Sequence, residues 1–536
     1  MLLKKATTYL SVSHVLLARR VFAVAVSAYQ QSRQERNQGR SFADHSSEGM
    51  KRLILTLILG FSCQLMWAQT LVQHVSCPNS RNTGNSQRST PDYYCPLPEP
   101  AQSGNSIIVG VVAGTGATFS LSDDKSNPYI LVNSVTDSGN NIYVAVYRAS
   151  NVTAGTRLID LHRTSATAET AMSLSEYYNV GAVDASSCHI NSSSTTITAG
   201  SITPAVSGDL LWQFSTNGAG GGGLPNSVSS FTTGSQPNIT WRLLGTDIYD
   251  GDATQAGVYS STSAINPTLT SGTAEPFDSC VVALKATSSG NAPTSPFRIL
   301  HMLHQQMPKS AANPFPIQFP TSGNLVVASY ISGGSLISSA TSSPSNTWSS
   351  TGTAAGGLGI TAASQIYYAA NASTSNAMTI LFRRDNNTSD ATYMMYDITG
   401  AATSPFDSDS GGQTGNQTSE VRSFTTCSGC LTPTAAHELI IANQGQNWCT
   451  STASTAPSGS LFDAATDTGN SVNGPQSVDQ NNGWLHYYDP GTSAITATWT
   501  NTCSQAEGTW AGRVAAFKAS GGTTPAPPTG LTAVPR

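Results

Sequence analysis

The chain has 536 residues, of which 10 % are charged and 38 % hydrophobic, with 47 glycines and a formal net charge of −5. The charged share is far below the roughly 25 % of an average soluble protein, and Ser, Thr, Asn and Gly take the vacated places, which suits turns and the wet faces of strands. A near-normal apolar share with so small a charge excludes wholesale disorder, and the lack of a basic block after the first 68 residues speaks against nucleic-acid binding.

Residues 1–49 carry Arg19-Arg20 inside their one apolar stretch and end in a Gln/Arg-rich run. They read as a mis-called start or a structureless extension, with an uncleaved amphipathic anchor as the alternative. Residues 50–68 begin Met50-Lys51-Arg52, continue through the apolar run Leu53 to Leu59, and close on Ala68-Gln69. A basic start, a short apolar centre and a small residue at the cut define a secretory signal peptide, too short and interrupted to span a bilayer. Its removal would leave 16 basic against 27 acidic residues, a net charge of −11. Cys63 would leave with it, in a poor lipoprotein context.

The next 450 residues repeat themselves. SGNSIIVGVV from Ser103 recurs as SGNLVVASY from Ser322, an offset of 219, and VVALKA from Val281 recurs as VAAFKA from Val514, an offset of 233. Between them, YVAVYRASNV (Tyr143–Val152) matches SQIYYAANAS (Ser364–Ser373), TRLIDLHR (Thr156–Arg163) matches AMTILFRR (Ala377–Arg384), and Glu176 matches Asp397. A unit of about 220 residues has therefore been duplicated, with copies expected at 69–288 and 296–519. Period-two runs predict strands: Met378, Ile380 and Phe382 alternate with Thr379, Leu381 and Arg383, and Ile495, Ala497 and Trp499 with Thr496, Thr498 and Thr500. Gly/Ser/Asn/Pro clusters such as Gly218 to Gly223 punctuate them. No stretch has the signals of a three-turn helix. The expected fold is all-β, with two tandem antiparallel β-sandwich domains of jelly-roll-like build. A fainter repeat within each copy is expected from Gly208-Asp209-Leu210 and His437-Glu438-Leu439.

The duplicated string resembles tandem modules of large, poorly characterised bacterial secreted or surface proteins. Residues 520–536 read as a linker followed by PPTGLTAVPR, which is similar to the opening strand of a fibronectin type III domain. The resemblance implies a place on the cell exterior and carries no catalytic residues.

Eight cysteines remain after the signal: Cys77, Cys95, Cys188, Cys280, Cys427, Cys430, Cys449 and Cys503. An even number in an exported chain reads as disulfides. The pairs expected are Cys77 with Cys95, Cys188 with Cys280, Cys427 with Cys430 and Cys449 with Cys503; a redox or half-zinc reading of Cys427-Ser428-Gly429-Cys430 is the alternative. Asp247, Asp250 and Asp252 cluster in an expected loop and are the metal candidate, for Ca²⁺, which wants several oxygens; solvated turn residues are the plainer reading. Asp463 and Asp467 are the second copy's counterparts. His301 and His304, three apart on a strand, would point to opposite faces.

Asp409-Ser410-Gly411-Gly412 and Ala435-Ala436-His437 resemble the serine and histidine motifs of trypsin-like proteases, but in reversed order and with Ser408 in place of the usual glycine. A turn and a strand opening account for them. Glu176 and Asp397 recur in the repeat, which points to a structural role. The tyrosine pairs 177–178, 367–368 and 487–488 would send one ring inward and one outward, and outward rings can stack on sugars. The Asn-X-Ser/Thr sites at Asn151 and Asn238 carry little weight in a bacterial chain.

These readings point to a secreted or cell-surface, non-enzymatic protein for adhesion, display or carbohydrate binding. An extracellular polysaccharide-active hydrolase and a structural spacer are the alternatives. The expected partners are glycans or cell-envelope components, with no nucleic acid, no membrane span and no cofactor apart from Ca²⁺ at the aspartates.

Overall fold

The computed structural model describes residues 69–520, apart from 78–91, 117, 165–169, 218–227, 249–250, 308–311, 322, 356–361, 387–390, 417–420, 429–430, 448, 456–460, 471–479, 489–490 and 504–508. The extension, the signal segment and residues 521–536 lie outside them.

The described chain is all-β. The first copy supplies β1 (Thr70–Cys77), β2 (Asp92–Pro96), β3 (Ser106–Gly114), β4 (Phe119–Asp123), β5 (Ile130–Asp137), β6 (Ile142–Ser150) and β7 (Leu158–Arg163). It continues with β8 (Thr170–Tyr178), β9 (Val180–Thr198), β10 (Asp209–Asn217), β11 (Phe231–Thr233), β12 (Arg242–Asp247), β13 (Asp252–Tyr259) and β14 (Thr268–Ala286). The second copy opens with β15 (Arg298–Met307), β16 (Phe315–Thr321), β17 (Leu325–Ser332), β18 (Ile337–Ser343), β19 (Trp348–Ala355), β20 (Ala363–Ala370), β21 (Ser375–Arg384) and β22 (Ala391–Thr399). Then come β23 (Ala401–Asp409), β24 (Gln413–Asn416), β25 (Val421–Ser428), β26 (Leu439–Asn447) and β27 (Cys449–Thr455). The last are β28 (Leu461–Asn470), β29 (Gln480–Tyr488), β30 (Thr496–Cys503) and β31 (Thr509–Ala519).

Strand order repeats, fourteen strands on in the first half of each copy and sixteen or seventeen on in the second. The sheet β2-β7-β4 returns as β16-β21-β18, and β10, β13, β12 and β14 find counterparts in β26, β29, β28 and β31. The five strands β1-β8-β3-β6-β5 match β15-β22-β17-β20-β19, and these two sets are one ten-stranded sheet. They join where β1 runs parallel to β15, His74 opposite His301; the other strand pairs described are antiparallel. A parallel join between equivalent strands places the symmetry axis along the strand direction, so the face that is inner in one copy is outer in the other.

Packing follows from that. On one face Val75, Ile107 and Val109 of the first copy pack with Tyr93, Ile159 and Leu161 of the small sheet, and Val327, Ile366 and Tyr396 of the second copy pack with Ile441, Trp484 and Phe517. All of these belong to one hydrophobic cluster. On the other face Ile108, Val144 and Val146 meet Leu210, Trp212 and Val282, while Val326, Ala328 and Tyr330 meet Ile317, Ile380 and Phe382. Burial of both faces explains why SIIVGVV and LVVASYI read as apolar runs rather than alternations. The residues that the sequence divides at 288–296 therefore share a sheet and a core, and 69–520 lie in one compact unit. The period-two strand β21 buries Met378, Ile380 and Phe382 completely.

Candidate functional site

The chemistry-bearing side chains collect along the join and at matching ends of the flanking sheets. Matching β-bulges in β1 and β15 bring Gln73 opposite Glu176, and His301 opposite Asp397. Glu176 is fully buried and accepts from Gln73 Nε2 at 2.5 Å, Asn105 Nδ2 at 2.5 Å and the Gln102 amide at 2.8 Å. Burial pushes its carboxyl up to about 7 against the pull of these three donors. In the second copy Asp397 is held by His301 Nδ1 at 2.8 Å and by the Gly323 amide at 2.9 Å. Each acid thus pins the Ser-Gly-Asn loop that leads into β3 or β17.

His74 is fully buried beside them, with Nδ1 2.8 Å from Ser175 Oγ, which also accepts from Trp212 Nε1 at 2.9 Å. Burial first, and then the nearby His301, hold His74 well below the ordinary imidazole range. The His74 and His301 rings lie 6.4 Å apart. His304, three residues on, stands edge-on to Trp484 at 4.9 Å. The two histidines of this strand therefore do not converge.

The join is tied on both faces. Tyr488 donates to Glu99 Oε1 at 2.5 Å, the Ile299 amide donates to the same oxygen at 2.7 Å, and His486 Nε2 lies 2.6 Å from the Pro98 carbonyl. Burial raises Glu99 to about 7 and lowers His486 to about 4. On the opposite face the Gln318 side chain accepts from the Phe231 amide at 2.7 Å and donates to its carbonyl at 2.8 Å, and Thr246 Oγ1 donates to the Gln318 carbonyl.

Asp247 and Asp252 are not solvated turn residues. They face each other across the β12–β13 hairpin, 3 % and 8 % exposed, and Gln305 of the other copy donates to Asp247 Oδ1 at 2.8 Å. Burial raises Asp252 to about 8, helped by the Asp247 charge. With Asp252 pushed toward its neutral form and one Asp247 oxygen already accepting from an amide, the two offer little of the oxygen cage Ca²⁺ wants. Asp250 lies outside the described residues, as do the side chains of Asp463 and Asp467. Among the described residues no three His, Cys, Asp or Glu side chains form a metal-holding group.

Cys77 is bonded to Cys95, and Cys188 to Cys280 directly opposite it across β9 and β14. Cys449 is opposite Cys503 in the β27–β30 register. Cys430 and the side chain of Cys427 lie outside the described residues.

Ser410 does not face a base. Its Oγ donates to the Gly411 carbonyl at 2.8 Å and accepts from the Val514 amide at 3.0 Å, while Asp409 pairs with Arg513 at 2.6 Å. His437 has φ 63°, and its counterpart Gly208 has φ 97°: both are left-handed hinges just before an acid. Asn151 and Asn238 also adopt positive φ in turns. Of the tyrosine pairs, Tyr177, Tyr367 and Tyr487 are buried; Tyr368 stacks on Phe406 at 5.4 Å and Tyr488 meets Phe297 edge-on at 5.6 Å. Two of the three rings expected to face sugars are thus packed on other rings, and Tyr178 is half-buried.

Sequence reasoning missed Asp184, Asp209 and Lys285, with their counterparts Asp407, Glu438 and Lys518. The matching lysines of VVALKA and VAAFKA, and the acid that follows Gly208 or His437, were the available signal. No family model, no curated protein and no solved structure matches the chain. No helix among the described residues is long and apolar enough to cross a membrane.

Proposed function

We propose that the exported chain is a non-enzymatic display scaffold of the cell exterior, built of two jelly-roll-like β-sandwich halves that support other surfaces rather than process a substrate. The observation that carries this reading is the use made of its reactive side chains. Glu176, Asp397, His74, His301, Asp247 and Tyr488 bond to their own loops or to the other copy, where a catalytic or sugar-binding set would face a cleft. The bonded cysteine pairs suit an oxidising compartment. Packing of Tyr368 and Tyr488 against other rings favours this reading over glycan adhesion.

The test is a glycan array probed with the mature chain, with and without Ca²⁺, alongside surface labelling of the producing cells. Surface labelling with no glycan retained in either condition is the expected outcome. Binding of one glycan class, lost on adding a chelator, would restore the adhesion reading and the Ca²⁺ role of the aspartates. Polysaccharide cleavage by the purified chain would restore the hydrolase.

A further inference from the structure

Each copy brings one lysine and two carboxylic acids to the same place on three neighbouring strands. Lys285 on β14 stands between Asp184 on β9 and Asp209 on β10; Lys518 on β31 stands between Asp407 on β23 and Glu438, which precedes β26. Lys285 Nζ is 2.9 Å from Asp184 Oδ1, and Lys518 Nζ is 3.0 Å from Asp407 Oδ1. The lysines come from the half-exposed side, whereas the Asp184 and Asp407 side chains are only 4 % and 2 % exposed. Asp209 and Glu438 are dry, at 0 % and 1 %.

The second acid touches the first in both copies, and two carboxyls in contact hold one proton between them. Burial first, and then the neighbouring carboxylate, raises Asp209 to about 7; burial raises Glu438 to about 7, with the Asp407 charge adding to it. Against the pull of burial, Lys285 and the Ala205 amide hold Asp184, and the Thr434 hydroxyl, the Thr434 amide and Lys518 hold Asp407, below the ordinary carboxylate range. Each of the two amides, that of Thr434 at 2.9 Å, donates to Oδ2, the oxygen the lysine does not contact.

An ion pair does not account for this set. One on a half-exposed lysine is worth about 1 kcal/mol or less, and it gains nothing from a second buried acid, whose desolvation opposes folding. The copies have diverged nearby, with Glu for Asp, Thr434 for Ala205, His437 for Gly208 and no second counterpart of the Cys188–Cys280 bond among the described residues. Yet the lysine, both acids and the amide on Oδ2 persist. An amine held against a carboxyl group, a donor on the oxygen where negative charge develops, and a dry proton carrier are what amide formation needs.

We propose that Lys285 and Asp184, and likewise Lys518 and Asp407, become joined by intramolecular isopeptide bonds, with Asp209 and Glu438 as the proton carriers. The second acid passes its proton to the first and takes one from the lysine ammonium, leaving an amine, a neutral carboxyl and the second acid as it began. The amine lone pair attacks the carboxyl carbon, Nζ–Cγ forms, and the charge gathered on Oδ2 is held by the backbone amide. The surplus proton on nitrogen passes through the second acid to the other oxygen, the C–O bond breaks and water leaves. The net change is ammonium plus carboxylate to amide plus one water, with the second acid back in its starting state and no oxidant or reductant used.

The test is mass spectrometry of the purified full chain with its disulfides reduced and its N-terminus determined. The expected result is a mass short by two waters, resistance to trypsin after Lys285 and Lys518, and branched peptides joining each lysine to its aspartate. Lys285→Arg should restore one water and leave the second-copy bond intact, which also reports that the variant folds. Asp209→Asn should do the same by removing the proton carrier. A chain of full mass cleaved normally at both lysines overturns the proposal, as does a water deficit that maps to other residues.

Discussion

Gly110 in β3 and Ser329 in β17 occupy matching positions, and their partners have changed with them. A Cβ on Gly110 would lie 2.5 Å from Cγ of Phe214, whereas Ser329 Oγ accepts from Asn443 Nδ2 at 2.8 Å, Asn443 being the counterpart of Phe214. One copy fills the space with a ring over a bare backbone, the other with a hydroxyl–amide pair. Gly110→Ala should therefore destabilise by about 1–3 kcal/mol through overpacking, read as a lower denaturation midpoint with unchanged slope. Glu176→Ala should lower it by a similar ~1–3 kcal/mol, because Gln73, Asn105 and the Gln102 amide lose their acceptor in a dry site.

Titration acts at the same scale. Glu99, Glu176, Asp209 and Glu438 lie near 7 and Asp252 near 8 in the folded chain, all raised chiefly by burial. Unfolded carboxyls titrate near ~4, so between these limits the folded chain holds protons that the unfolded chain has released. Their contribution is complete below about pH 4 and is lost as pH rises toward 8. His74 and His486, lowered by burial, oppose this below their unfolded value of about 6.5. Five carboxyls outweigh two imidazoles. The thermal midpoint should be higher at pH 5.5 than at pH 8.5; a rise in the other direction would show that the carboxyls are ionised in the fold.

Among the elements, β9 and β14 form the longest ladder, and the Cys188–Cys280 bond closes a separation of 92 residues across it. Replacing both cysteines by serine should cost about 2–5 kcal/mol, measured against the reduced wild type as control. The elements were largely legible in the sequence. Alternation in Met378-Ile380-Phe382 follows from a strand with one dry face, and the repeated motifs marked equivalent strands. The Asp247–Asp252 hairpin was not legible as a buried pair, because its burial comes from Gln305 and the second copy's sheet, far away in sequence. The stacking of Tyr368 and Tyr488 was hidden for the same reason: period two tells which side a ring takes, not what covers it.

For the whole molecule, the join of β1 to β15 was invisible to a reading that treated each copy as its own unit. Parallel pairing of residues 227 apart in the chain leaves no local signature, and the apolar character of both strands is equally consistent with an outer strand packed on a small sheet. The arrangement makes the copies interdependent. Residues 69–288 expressed alone would expose the β1 edge and cut through the hydrophobic cluster that spans both copies. The expected product is an insoluble chain or a homodimer that re-creates the join, seen by size-exclusion with light scattering; a stable monomer with sharp unfolding would show the copies to be separable.

The direction of that join also decides how the molecule meets its surroundings. Rotation about an axis that runs along the strands exchanges left with right and front with back, but it leaves top and bottom alone. The turns holding Asn127 and Asn346 therefore share a pole, at opposite edges of the ten-stranded sheet, and the hinges at Gly208 and His437 share a pole as well. Each pole therefore presents two related but diverged patches facing the same way on a spacing that the shared sheet fixes, within a single chain.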